Sequence, residues 1–358
     1  MPPSSITIED VAARAGVSVA TVSRALRGLP NVAPTTRDRV RGVALELGYR
    51  PDPNASRLAA KRTNTIGFGV PLLGTWYFSQ VVSGAEAVCS AEGYDVLLLA
   101  IGSAEARHRT VTGTGPLHRR VDGLLLVDVR LDDDEVALFA TTGAAIVTVG
   151  DRYDVFPSIA IDDAAAAEDA VQHLIDLGHR SIALIGDLPG VALTFHVPGK
   201  RRGGYQAALR RAGLAVRPEL DVPGNFSVEG GYEAMVHLLG LPDPPTAVFA
   251  MCDEMALGAA SAVRDRGLSV PLDVSIMGFD DHELSAAVGL TTVHQPVSEI
   301  GALAARAMLE LLEPPGPDGA TPPPRHLLVP TTLMVRDTTA PRRDAVGAGS
   351  SSASYPDA

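Results

Sequence analysis

Cysteine is nearly absent: Cys89 and Cys252 are the only two in 358 residues. Two thiols cannot build a disulfide framework or a cysteine-rich zinc site, which points to a reducing cytoplasm. Long apolar runs are missing too. Segments such as 123–127 fall far short of the roughly 18 residues a membrane span needs. No charged start leads into an apolar stretch, so no signal peptide is expected. Disorder is excluded for the chain as a whole, since 46% of residues are hydrophobic and 20% charged. At about 100–200 residues per domain, the length implies two or three domains. The nine histidines show no metal-ligand spacing, and His173 and His179, flanking a helix end, read as surface. Gly67-Phe68-Gly69 lacks the third glycine of a dinucleotide fingerprint, and Gly199-Lys200-Arg201 is not a phosphate loop. With no nucleophile elbow either, an α/β hydrolase or kinase with an accessory helical domain is the weakest reading. No catalytic residue, cofactor or metal is expected.

What is present is an asymmetry of charge. The net charge is −12, yet residues 1–62 hold ten Lys+Arg against five Asp+Glu. A head of +5 therefore sits on a body of 296 residues that carries −17. The head can face phosphates, and the body is repelled by them.

The head reads as three short helices. Thr7-Ile8-Glu9-Asp10 starts the first as a capping box, Ile8, Val11, Ala12 and Ala15 form its stripe, and Gly16 stops it. Ser18 caps a second helix over 20–26, with Val22 and Leu26 inward. Pro34 opens a third that buries Val40, Val43, Ala44 and Leu47 and ends at Gly48. Two helices joined by a tight turn, the second short and polar, make a helix-turn-helix. Thr21, Arg24 and Arg27 lie on its polar face, where arginine grips guanine edges or phosphates and hydroxyls suit phosphates. On spacing alone, a three-helix bundle with solvated arginines also fits.

Ile6 through Leu26, together with Thr36-Arg37 through Leu47-Gly48-Tyr49-Arg50-Pro51, resembles the headpiece of the lactose-repressor (LacI/GalR) family almost residue for residue. The resemblance implies that Val19, Ala20 and Arg24 read base edges, while Thr7, Ser18, Thr21 and Ser23 position phosphates or cap helices. Arg27, Asn31 and Tyr49 complete the DNA-facing set. Ala33 departs from the serine or threonine that often caps the third helix. Residues 52–60 carry Asp52 and Pro53, suited to a helix start, but span only about two turns, too short to be stable alone. They resemble the family's hinge helix, with Leu58 as a wedge that unstacks a base step in the minor groove. Outside that resemblance Leu58 is a small contact in a linker.

From residue 65 apolar strands alternate with helices. Strands are expected at 66–70, 95–100, 123–127, 145–149, 182–185, 246–250 and 275–278, and helices at 79–92, 164–177, 203–212, 230–239, 254–266 and 298–312. Continuous apolar runs of this kind form buried parallel strands in a doubly wound α/β arrangement. A helix beginning at 103–107 is broken by Gly113, Gly115 and Pro116. Residues 132–135 read as a solvated helix start, and 314–324 as a loop. The same family resemblance covers about residues 6–337, through landmarks such as Val121-Asp122-Gly123, Gly178-His179-Arg180, Asp253-Glu254 and Phe279-Asp280-Asp281. It implies a two-lobed α/β, periplasmic-binding-protein-like effector domain behind the helix-turn-helix headpiece and hinge helix.

The effector cleft belongs at the carboxyl ends of the strands. There the resemblance implies that Tyr77 and Phe78, joined by Trp76, meet the flat face of a sugar or base. A cluster packing the hinge is the other reading of these aromatics. Asp151 and Arg152 can bond hydroxyls, Arg201 clamps the ligand, Phe226 stacks, and Asp280 accepts from hydroxyls or amines. Asp253 supports the backbone. Cys252 stands where sugar-binding members often have asparagine, and the 187–200 loop is longer than usual.

The expected organisation is a headpiece at 1–51, a hinge at 52–63, an effector and dimerisation domain at 64–338, and a disordered tail at 339–358. The tail lacks leucine heptads, so no tetramerising coiled coil is expected. The resemblance implies a cytoplasmic, nucleoid-associated repressor, acting as a homodimer on pseudopalindromic double-stranded operator DNA and controlled by a small molecule, a sugar first. A purine effector, or a cleft that no longer binds, are the alternatives. No membrane partner is expected.

Overall fold

A computed structural model describes residues 6–26, 28, 30–49, 62–112, 120–141, 144–187, 196–314 and 323–342. The expected hinge helix with Leu58, Arg27, the break at 113–116 and most of the 187–200 loop lie outside them. The chain divides into two units, Met1–Thr63 and Asn64–Ala358.

The first unit contains α1 (Ile8–Ala15), α2 (Val19–Leu26) and α3 (Pro34–Leu47). The Thr7 hydroxyl accepts from the Asp10 amide and the Asp10 carboxylate accepts from the Thr7 amide, a complete capping box. The Ser18 hydroxyl accepts from the Thr21 amide at 3.2 Å and starts α2. Ala33 offers α3 no side-chain cap, but Pro34 fills the first turn. Val11, Val22, Ala25 and Val40 are fully buried between the helices, and Leu26, Val43 and Leu47 pack partly against them.

The second unit has two α/β lobes. The N-terminal lobe is built on β1 (Thr65–Val70), β2 (Asp95–Ala100), β3 (Gly123–Val127), β4 (Ala145–Val149), β5 (Ser158–Ala160) and β11 (His326–Leu328). They pair in parallel in the order β11-β5-β4-β3-β1-β2. Helices α4 (Trp76–Ala91) and α11 (Val297–Leu312) pack against each other and on this sheet, with α5 (Ala104–Thr112) and α6 (Asp133–Thr141) also in the lobe. The C-terminal lobe has β6 (Ile182–Gly186), β7 (Asp221–Pro223), β8 (Ala247–Ala250) and β9 (Ser275–Met277) in the parallel order β7-β6-β8-β9. Its helices are α7 (Asp163–Asp176), α8 (Val197–Arg211), α9 (Val228–Leu239) and α10 (Asp253–Asp265). An antiparallel pair, β10 (Thr292–His294) with β12 (Thr332–Met334), accompanies the return of the chain between lobes. The fully buried β1, β3, β6 and β8 carry the apolar runs that made them legible.

Several expectations change. The helix expected at 203 starts at Val197, because Pro198 suits a first turn and Gly203 and Gly204 lie inside the helix. Gly204 is a packing position: a Cβ there would lie 2.2 Å from the Ala164 carbonyl oxygen of α7. The 132–135 run starts α6 with Asp132, Asp133 and Asp134 exposed, as expected, and only Glu135 is drawn inward. Glu135 and Asp132 bond each other's backbone amides at the start of α6, and Glu135 pairs with the buried Arg107 at 2.8 Å. His179 is not at the surface; it is buried and meets Thr246, Ser275 and the Ala340 carbonyl. The start of the expected tail changes too, while 343–358 lie outside the described residues. Thr339 meets His173, and the Arg342 amide donates to the Leu177 carbonyl, so the C-terminal lobe holds the chain through Arg342.

Candidate functional site

In the headpiece, Val19, Ala20 and Arg24 are exposed on α2, while Val22 and Ala25 turn inward. Thr21 and Ser23 are half-buried beside them, Thr7 and Ser18 are exposed helix caps, and Asn31 is exposed with φ 73°. Tyr49 packs against the headpiece core. A short helix with its N-terminus capped, presenting small apolar groups and one arginine, suits a major groove. Small apolar side chains meet thymine methyls, and a guanidinium reads guanine.

In the second unit the two lobes enclose a cleft between them. Leu72, Thr75, Tyr77, Phe78 and Asp128 come from the N-terminal lobe, and Val197, Arg201, Phe226, Cys252, Glu254 and Asp280 from the C-terminal lobe. An adjoining cavity shares Tyr77, Asp128, Val197 and Arg201 and adds Asp163 and Gln295.

Arg201 organises the centre. Its Nε donates to Asp163 at 2.9 Å, its Nη1 donates to the Met251 carbonyl and lies 3.6 Å from Asp280, and its guanidinium stacks 3.5 Å above the Phe279 ring. A guanidinium fixed by two carboxylates and a ring face is preorganised for a hydroxyl-rich ligand. Asp280 also accepts from Gln295 at 2.6 Å, and burial pushes its carboxyl well above the usual range despite Arg201. Asp253 stays behind the cleft wall, as a backbone support should. It accepts from Ser285, Thr292 and the His282 amide, and burial raises its carboxyl to about 6. Cys252 is 3% exposed, adding apolar wall where a polar amide would bond.

Three wall residues, Asp128, Phe226 and Asp280, have φ of 48°, 49° and 114°. Such conformations are costly for residues with side chains, above all for a phenylalanine, and gather at ligand sites.

Six expected effector residues therefore meet in the cleft: Tyr77, Phe78, Arg201, Phe226, Cys252 and Asp280. Three do not line it. Trp76 opens α4 and turns across the mouth, where its Nε1 donates to Glu283 at 3.2 Å and its ring lies 4.8 Å from His282. Asp151 is taken by the opposite lobe: its Oδ1 accepts from Lys200 at 3.0 Å and lies 3.1 Å from His196. Arg152 points outward, 66% exposed, with Asp154 at 4.0 Å. Asp128 and Glu254 were missed. Both follow strands at their carboxyl ends, and that position was the available signal. Among the described residues no cluster could hold a metal ion, and no helix is long and apolar enough to cross a membrane.

The family profile described as bacterial regulatory proteins, lacI family, matches residues 7–52, and that of a periplasmic binding protein-like domain matches residues 171–339. The HTH-type transcriptional repressor CytR of Escherichia coli K12 is 37% identical over 312 residues, 86% of this chain and 89% of CytR. The structure of the lac repressor dimer bound to operator and the anti-inducer ONPF superposes with a TM-score of 0.79 at 29% identity, covering 94% of this chain and 99% of that one. The complex of the transcriptional regulator CelR with cellobiose gives 0.66 at 32% identity, covering 93% and 99%.

Proposed function

The chain belongs to the lacI family of bacterial regulatory proteins, and on that premise we propose that it is a sequence-specific DNA-binding transcriptional repressor controlled by a small molecule, a sugar first. One observation carries the effector half: the walls of the cleft come from both lobes, so an occupant biases how they close. Tyr77 and Phe226 offer ring faces, and Arg201 and Asp280 bond hydroxyls. In the headpiece, Val19, Ala20 and Arg24 read base edges, and Thr7, Ser18, Thr21 and Ser23 hold the backbone. Two headpieces of a homodimer need matched half-sites, hence a pseudopalindromic operator. Residues 1–51 form the DNA-binding unit, 52–63 couple it to the effector domain, and the cell compartment is the cytoplasm.

Selection of binding sites by the full-length protein from random duplex DNA tests this. A pseudopalindromic site should emerge, and Arg24→Ala should keep its fold but lose discrimination of about 1–3 kcal/mol at one base pair per half-site. No enriched site, or unchanged preference in Arg24→Ala, would overturn the DNA-binding mode.

A further inference from the structure

The inner end of the cleft is unbalanced in charge. Asp128, Asp163, Glu254 and Asp280 line the two adjoining cavities, and Arg201 is the one cation among their lining residues. Arg201 is already engaged by Asp163 and Asp280, and Lys200 by Asp151. Asp128 is different. It is 3% exposed, lines both cavities and follows β3 with a left-handed backbone. Its Oδ1 is buried with no hydrogen-bond partner, although the carboxyl is bonded by the Tyr77 hydroxyl. Nearby, Oδ2 of Asp151 is also buried and unpartnered. A buried polar atom without a partner is costly unless something supplies one.

Resting on the effector reading above, we propose that Asp128 is the charge filter of this cleft: it receives a hydrogen-bond donor of an uncharged or amine-bearing polyol and bars anionic ligands. An N–H or O–H donor satisfies the carboxyl whether it is ionised or protonated. A phosphate or carboxylate brought to the same place would face Asp128, with Asp151 and Asp163 behind it and with Arg201 already paired. Burial, reinforced by Asp163 and Asp151, raises the Asp128 carboxyl to about 8, so the filter acts at full strength only above that value, where the carboxyl is ionised. An ammonium group offers what Asp128 lacks, a cation, since no arginine or lysine forms an ion pair with it.

Matched probes test this on the full-length dimer by calorimetry at pH 9, where the Asp128 carboxyl is ionised, with Trp76 fluorescence alongside. The panel contains glucose, galactose and ribose, the amino sugars glucosamine and galactosamine, the uronates of both hexoses, the 6- or 5-phosphates of all three sugars, and adenosine with its monophosphate. The expected result is saturable binding by one or more uncharged or amine-bearing members, with the acidic partner of each at least 100-fold weaker. Asp128→Asn, which keeps the shape and removes the charge, should narrow that gap at least tenfold. Binding of a uronate or phosphate within tenfold of its uncharged partner would overturn the filter and leave the effector reading standing. An unchanged gap in Asp128→Asn would remove Asp128 from the role. Silence across the whole panel would overturn the effector reading and the filter together. If the variant fails to fold, the parent still decides the question: its gap should widen as pH rises from 7 to 9 and the Asp128 carboxyl ionises, and an unchanged gap would remove Asp128 from the role.

Discussion

At the scale of single residues, Asp128 makes a second, ligand-free claim. An unfolded aspartate ionises near 3.8, while the folded carboxyl holds its proton up to about 8. Between those values the folded chain binds more protons than the unfolded one, so stability falls as pH rises through that window and levels off above it. The steepest slope one such group can give is about 1.4 kcal/mol per pH unit. Asp128→Asn has nothing to titrate there. Its stability relative to the parent should therefore rise steadily from pH 4 to pH 8, as read by denaturant unfolding at each pH. Asp253 pulls the same way between about 4 and 6 and His179 loses stability in acid, but both are present in both proteins and cancel in the difference. A flat difference across the window would show that Asp128 ionises freely in the folded cleft. The same residues show what sequence could give. Arg201, Phe226 and Asp280 were legible through the family resemblance, which matched each of them to a ligand position. Asp151 sat at an equally good position, but a linear sequence does not tell that Lys200 reaches it from the other lobe. Arg152, its neighbour, turns outward.

At the scale of elements, burial decided what could be read. Strands β1, β3, β6 and β8 are apolar along their whole length, and their positions were recovered within a residue or so. Of the three-residue strands, the fully buried β9 was foreseen, whereas β5, β7, β10, β11 and β12 were not, because so short a stretch without a buried apolar run becomes a strand only when a neighbour pairs with it. Glycine misled in the opposite direction. Gly203-Gly204 delayed the expected start of α8, yet Gly204 is there to let α8 lie against α7. A methyl at that position would lie 2.2 Å from the Ala164 carbonyl oxygen, 2.9 Å from the Glu168 amide nitrogen and 3.0 Å from the Ala167 Cβ. Two of these are backbone atoms and cannot step aside. Gly204→Ala should cost about 1–3 kcal/mol despite alanine's better helix propensity, as overpacking does. Thermal unfolding measures it. Arg201 and Lys200 ride on the same helix, so effector affinity should fall along with stability. An unchanged melting temperature would mean that the two helices separate at no cost, against the close contact seen between them.

At the scale of the whole molecule, the split of charge read first from composition fits a basic DNA-binding head on an acidic effector body. The bound operator should be lost steeply as salt rises, since each neutralised phosphate releases counterions. Effector affinity measured without DNA should move far less, because its central ion pairs are buried. The segment that must join the two activities, 52–61, lies outside the described residues, so the coupling is best tested by its thermodynamics. If effector and operator favour different closures, saturating one must change the affinity of the other, and by the same factor in both directions. Trp76 suits this measurement because it spans the mouth of the cleft: it leaves α4 in one lobe and bonds Glu283 in the other. Its fluorescence should therefore follow lobe movement rather than direct ligand contact, and should respond to operator alone as well as to effector. Effector affinity would be titrated with and without operator, and operator affinity with and without effector. The expected coupling is about 5- to 150-fold, the span of 1–3 kcal/mol common to allosteric pairs. A factor of one in both directions would separate the cleft from the headpiece and leave a regulator that does not answer to its ligand. Unequal factors would expose a third linked equilibrium, and dissociation of the dimer is the first to examine, because splitting the half-sites weakens DNA binding without any change in the cleft.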